Sequence, residues 1–243
     1  MPKRDDPASY GQFCPVAMAA EILCTRWTAL IVREMLCGST RFNDIRRGLP
    51  LISPTLLSKR LKELEAAGVI DIVPVGEAGP SDYRLTTAGE DLRPVILGLG
   101  FWAQRWIESS LSLKNIDPAL LMWDIRRNLN PKPLPTRRCV INFTYPEVEP
   151  GKQAWWLVVD GDGVDLCQFD PGFDVDLFVR CPLRSMTAVW MGMTTVEREL
   201  EARRLDVVGD PSVARSMRDW LGLSVFAHEK SMRPSSEFDS PRL

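Results

Sequence analysis

The sequence predicts a multidomain chain, with a mainly-α N-terminal domain that carries a β-hairpin and an α+β domain after it. Three observations carry this. Helix starts are written as an N-cap acceptor before proline at Ser53-Pro54, Asp117-Pro118 and Asp210-Pro211, because proline at the first helical position sacrifices no hydrogen bond. Two extended runs, 69–75 and 81–86, flank a turn-rich stretch at 76–80, which is how a hairpin reads. Past residue 115, strand-like runs replace the helical periodicity.

The 243 residues suit one large domain or two small ones. Hydrophobic content of 45% and charged content of 26% are ordinary for a soluble globular protein. A net charge of −2 and a pI near 5.6 give no global basic field. The distribution is uneven, however. Between residues 26 and 62 lie Arg26, Arg33, Arg41, Arg46, Arg47, Lys59, Arg60 and Lys62, against the acids Glu34 and Asp44. A local basic patch of this kind steers a polyanion. Met1-Pro-Lys-Arg-Asp-Asp leads into no apolar stretch, and the span 94–107 is short and carries Gln104 and Arg105, so a cytoplasmic protein without a membrane span is expected. Cys14, Cys24, Cys37, Cys139, Cys167 and Cys181 form no Cys-x-x-Cys pair and read as reduced thiols.

In chain order, a helix over 15–36 is expected to break near Cys24 to Trp27. A short helix over 42–47 follows, then a Gly-Leu-Pro turn, then a long helix that starts after Ser53 and stops at Gly68. After the hairpin, a capping box at Thr87-Ala-Gly-Glu90 opens a helix over 88–109. A short helix–turn–helix followed by a hairpin describes a winged helix-turn-helix domain. Its last helix, with Val95, Ile96, Leu99, Trp102, Trp106 and Ile107, is apolar nearly all round. A small domain has too little core to bury both faces. Val95, Leu99, Trp102 and Trp106 are therefore expected to pair with a second copy; burial against the second domain is the alternative.

The long helix carries the function-bearing pattern. At 100° per residue, Leu57, Leu61 and Leu64 fall within about 60° of one another, and Thr55, Ser58, Lys59 and Lys62 lie within about 100° on the opposite side. A recognition helix meets base edges in the major groove with its N-terminal half. Hydroxyls and a threonine methyl can meet bases there, and lysines can meet guanine edges or phosphates. With Ser53 at the start of that helix, Arg41, Arg46 and Arg47 on the preceding one and Arg84 on the hairpin, these residues are the expected contacts to double-stranded DNA. The alternative is a solvated amphipathic helix.

The segment Cys14-Pro15, Arg26-Trp27-Thr28-Ala29-Leu30, Arg41-Phe42-Asn43-Asp44-Ile45, Ile52-Ser53-Pro54-x-Leu56-Leu57-Ser58-x-Arg60-Leu61-Lys62-x-Leu64 and Tyr83-x-Leu85-Thr86-x-x-Gly89 resembles the HxlR-type branch of bacterial winged-helix regulators. The resemblance covers about the first 110 residues. It implies a dimeric transcription factor on an inverted-repeat operator, paired through the terminal helices of the domain. One departure is the hairpin tip, where Gly76-Glu77-Ala-Gly-Pro-Ser81-Asp82 carries no Lys or Arg; only Arg84, back on the strand, is available, so the wing is expected to add little affinity. Cys14 precedes Pro15 and should sit near a helix N-terminus, where the thiolate is favoured. In part of the HxlR-type group a cysteine here senses oxidants or electrophiles, which the resemblance extends to Cys14; an inert apolar role is the alternative.

Residues 109–115 read as a linker, with domains expected at 1–112 and 113–228 and a flexible tail at 229–243. The second domain should hold a helix over 118–129, strands near 138–145, 154–160, 164–169 and 175–181, helices near 186–197 and 213–221, and a strand between them near 203–208. Leu183 to Gly192 with Glu199 to Ser212 resembles the C-terminal half of sterol-carrier-protein type 2-like domains. That implies an α/β layer with an apolar tunnel, for which Trp155, Trp156, Phe169, Phe178, Met186, Trp190, Met191 and Met193 are candidate lining; a plain core role is the alternative. Asp160-Gly-Asp-Gly-Val-Asp165 lacks the glycine and glutamate positions of an EF-hand loop and reads as a tight turn. His228 is the lone histidine, and no phosphate loop, metal cluster or nucleophile elbow is present. No catalytic residue, metal or cofactor is expected. Two readings remain: a DNA-binding regulator whose second domain takes an apolar effector, or an apolar-ligand carrier or interaction module with a vestigial DNA-binding surface.

Overall fold

The computed structural model describes residues 9–74, 81–107, 113–161, 163–229 and 232. The chain divides into two compact units, Met1–Leu99 and Gly100–Leu243.

In the first unit, α1 (Pro15–Leu23) and α2 (Thr28–Leu36) are separated where the sequence breaks, with Trp27 in the left-handed region at φ 81°. α3 (Phe42–Arg47) leads through a tight turn to α4 (Pro54–Ala66), whose first turn is capped by the Leu56 N–H donating to Ser53 Oγ at 3.2 Å. Gly68, at φ 71°, ends α4 in a Schellman turn: its N–H donates to Glu65 O and the Val69 N–H to Leu64 O. β1 (Ile70–Pro74) and β2 (Ser81–Leu85) pair antiparallel, Ile72 opposite Tyr83. The tip at 75–80 lies outside the described residues. Leu57, Leu61 and Leu64 bury the expected α4 stripe against Ile31, Val32, Ile45 and Ile70.

The helix after the hairpin departs from expectation. It is split into α5 (Thr87–Glu90) and α6 (Arg93–Trp106), and the cap is Thr86, whose Oγ1 accepts from the Gly89 N–H at 3.2 Å. Thr87 is already inside the helix, so the Thr87–Glu90 capping box does not form. Thr86 wins because its hydroxyl also donates to Gly68 O at 2.7 Å, which ties the cap to the end of α4.

In the second unit, α7 (Pro118–Asn128) precedes β3 (Cys139–Thr144), β4 (Ala154–Asp160), β5 (Gly163–Cys167) and β6 (Leu177–Arg180). Then come α8 (Leu183–Trp190), α9 (Val196–Glu201), β7 (Asp206–Gly209), α10 (Pro211–Arg215) and α11 (Met217–Trp220). One sheet has the order β5-β4-β3-β6-β7, parallel only between β3 and β6. Cys139, Ile141, Phe143, Leu157, Val159, Leu177 and Val179 share one face with the helix residues Met122, Met186, Val213 and Trp220. Asp160 pairs with Gly163, so β4 and β5 run antiparallel as neighbours.

Two expectations are corrected here. The helix over 186–197 is two, because the chain leaves α8 at Met191 and Thr195 caps a new helix, its Oγ1 accepting from the Arg198 N–H. The tail does not begin free at residue 229. Arg105 Nε donates to Glu229 Oε1 at 2.7 Å and the Met232 N–H to Arg105 O at 3.0 Å, while Phe226 packs edge-on against Phe101 at 5.2 Å. The remainder of the tail and most of the linker lie outside the described residues.

Candidate nucleic-acid interface

α4 presents Thr55, Lys59 and Lys62 to solvent and half-buries Ser58. With Glu63 and Ala66 they line an open groove of about 730 Å³. The three leucines on the far side fix which way this row faces, since they are the residues with nowhere else to go. Ser53, the cap, already uses its hydroxyl as an acceptor within α4. Glu63 is the one acid in the groove; it pairs with Arg60 and lies 3.9 Å from Lys59 Nζ.

Arg60 is not part of the outward row. Its side chain is largely buried and its Nε donates to Arg26 O at 3.1 Å, so it anchors α4 to the turn before α2. Arg26 in turn stacks over the Trp27 ring at 5.4 Å. Arg46 and Arg47 are exposed on α3, with Arg47 bound to Asp44 at 2.9 Å. Arg41, at the start of α3, and Arg84, on β2, both reach Asp82.

Sequence reasoning missed two features of this surface. Leu51, in the turn between α3 and α4, is 86% exposed, a large apolar side chain left in water. The other is Asp82, whose pairing with Arg41 spans 41 positions in sequence and leaves no linear trace.

Away from this row, Cys14 is the N-cap of α1. Its Sγ faces the Ala17 and Val16 amides without closing a regular cap hydrogen bond, and these donors hold the thiol below its ordinary pKa. Val95, Leu99, Trp102 and Trp106 are all exposed on α6, Trp102 to 59%; their 4-3-4 spacing makes one stripe. α1 buries none of its nine residues, and Phe13 just before it is almost wholly exposed.

The candidate pocket residues do not come together. Trp155, Met186 and Trp190 are buried in the helix-side core, and Met191 packs against it. Trp156 and Phe178 both lie opposite Asn142, on the other face of the sheet. Phe169 is exposed and Met193 half-buried. Strand alternation sends Trp155 and Trp156 to opposite faces, so a single tunnel cannot use both. Among the described residues, no three His, Cys, Asp or Glu side chains gather as a metal site, and no single helix is long and apolar enough to cross a membrane.

A family model described as HxlR-like helix-turn-helix matches residues 22–111. YvaP of Bacillus subtilis (strain 168), an uncharacterized HTH-type transcriptional regulator, is 42% identical over 102 residues, which are 41% of this chain and 94% of YvaP. YybR of the same strain, another such regulator, is 32% identical over 92 residues, 37% of this chain and 74% of YybR. The solved reduced form of the transcriptional regulator YodB from B. subtilis is 32% identical, covers 40% of this chain and 98% of its own, and superposes with a TM-score of 0.36. The family match thus lies over the helix–turn–helix and hairpin that present the cationic row, and the chain belongs to the HxlR-like helix-turn-helix family.

Proposed function

We propose that the protein is a transcriptional regulator that binds double-stranded DNA as a homodimer on an inverted repeat. α4 enters the major groove, Thr55, Ser58, Lys59 and Lys62 meet bases and adjacent phosphates, and Arg41, Arg46, Arg47 and Arg84 hold the backbone on either side. The observation that carries this reading is the outward row of α4, two hydroxyls and two lysines opposite a buried leucine stripe. Membership of a helix-turn-helix family and relatives named as HTH-type transcriptional regulators support it. The exposed stripe of α6 and the unburied α1 support pairing with a second copy, since contiguous exposed apolar surface marks an interaction site. Anisotropy titration of promoter DNA with wild type and a reading-helix variant tests the proposal.

For the second unit, a sterol-carrier-like layer that takes an apolar effector is the reading. Its support is the order β6, two helices, β7 with a Gly209-Asp210 turn, and a closing helix, all helices packing on one face of the sheet. The ligand would enter on that face, among Trp155, Met186, Trp190 and Met191. Displacement of a fluorescent fatty acid from the full chain tests it. Cys14, with a thiol held below its ordinary pKa at a helix N-terminus, adds a reading as an oxidant- or electrophile-sensitive residue.

A further inference from the structure

The structure assigns to Asp82 a positioning role: it holds Arg41 and Arg84 as one aimed pair and thereby sets how well the protein separates its operator from other DNA. This rests on the DNA-binding reading above and adds to it a determinant of specificity that touches no base.

The backbone comes first. Residue 41 forms an antiparallel bridge with residue 82, the Tyr83 N–H donates to Thr40 O at 2.8 Å, and the Phe42 and Tyr83 rings lie 6.4 Å apart. The start of α3 is thus stitched to β2 by a one-residue bridge, which fixes where Arg41 and Arg84 leave the main chain. The side chains follow. The Asp82 carboxylate is 13% exposed; Arg41 Nε lies 2.8 Å from its Oδ1 and Arg84 Nη2 3.4 Å from its Oδ2. The Arg41 contact is not aligned as a hydrogen bond, and Oδ1 has none among the described residues, so charge and the strand bridge hold this pair. Each oxygen faces one guanidinium. Arg41 and Arg84 stay 44% and 62% exposed, so the rest of each five-donor fork is free to grip a phosphate.

Two effects follow from placing one acid between two arginines. The forks are ordered before DNA arrives, so less rotamer freedom is lost when a correctly placed backbone meets them. The carboxylate also removes one net positive charge from a surface that any phosphate could approach, which lowers sequence-blind affinity. A specific complex gains from the first effect; a non-specific one suffers only the second.

The test is anisotropy of the full chain with a duplex from upstream of its own gene and with a shuffled duplex of equal composition, at several salt concentrations. Asp82→Asn is expected to bind the shuffled duplex several-fold more tightly, to steepen the log–log salt dependence by up to about 0.9, and to lower the ratio of the two affinities about tenfold. Asp82→Glu, which retains the charge, should keep the wild-type slope. Parallel weakening on both duplexes with an unchanged slope would mark a merely structural residue and overturn the proposal. Should Asp82→Asn not fold, Arg84→Lys decides: charge kept and fork lost, the slope should hold while the ratio falls, and an unchanged ratio overturns the proposal. Wild type that shows no preference for its own promoter sinks the DNA-binding reading and this role together; wild type that discriminates while Asp82→Asn discriminates equally well sinks this role alone.

Discussion

The carboxylate of Glu34 occupies the space in which a side chain at Gly48 would have to sit: a Cβ built there comes 1.9 Å from Glu34 Oε2. Glu34 is fully buried on α2, paired with Arg33, and Arg33 Nη2 also donates to Gly48 O at 3.1 Å. The turn that leads to α4 is therefore tied to α2 through a part-buried ion pair.

Gly48→Ala is expected to lose roughly 1–3 kcal/mol of stability, because a buried carboxylate cannot retreat without leaving its partners. Urea denaturation of the variant measures this. A variant as stable as wild type would show that the Glu34–Gly48 contact is loose in solution.

Leu99→Glu with Trp102→Glu places charges in the middle of the exposed α6 stripe. Neither position is buried in the chain itself, so folding should survive while association fails. Sedimentation should give a dimer for wild type and a monomer for the variant, with unchanged circular dichroism. A dimeric variant would assign the dimer contact to another surface.

Cys14 should alkylate with iodoacetamide faster than free cysteine at neutral pH. Its pKa is lowered by the Ala17 and Val16 amides, so the thiolate fraction at pH 7 exceeds that of an ordinary thiol, whose pKa is about 8.5. The rate should plateau at lower pH than the free amino acid. A rate no faster than free cysteine rules out the sensing reading and leaves Cys14 a small apolar residue.

Glu199, 3% exposed, is a buried acid of the second unit. Arg204 Nε and Nη2 donate to its two oxygens at 2.8 and 2.7 Å, and Thr194 Oγ1 adds a third bond at 2.9 Å. Arg204 first of all holds the carboxyl below the usual range. A depressed pKa in the folded state gives stability that is present above the unfolded value, near pH 4.3, and lost as pH falls through the folded one. Glu199→Gln is expected to cost roughly 1–3 kcal/mol at pH 7 and progressively less below about pH 4, in urea titrations across pH. A difference that stays constant with pH would remove the ion pair from the account.

Much of this was legible because local chemistry and tertiary packing agree. Ser53-Pro54, Asp117-Pro118 and Asp210-Pro211 cap helices as written, with Asp117 accepting from the Leu120 N–H and Asp210 from the Ser212 N–H. Leucines at helical spacing could bury only one face of α4. Several of the failures are tertiary. Thr86 displaced Thr87 as a cap because it also bonds the end of α4. Arg60 reads as one more cation until its partner, the Arg26 carbonyl, is seen 34 residues away. Two adjacent tryptophans looked like one pocket, although the strand expected over 154–160, and found there, already sends them to opposite faces. Glu229 looked like tail because Arg105, 124 residues earlier, supplies its order.

The most direct measurement of the central claim is the salt dependence of promoter binding for wild type and for Lys59→Ala with Lys62→Ala. Wild type should bind the DNA upstream of its own gene with an affinity that falls steeply as salt rises. The double variant should bind more weakly, with a log–log slope shallower by up to about 1.8, two lysines at about 0.9 each. Equal affinity and slope in the two proteins, or wild-type binding that salt does not weaken, would contradict the assignment of α4 as the surface that meets DNA.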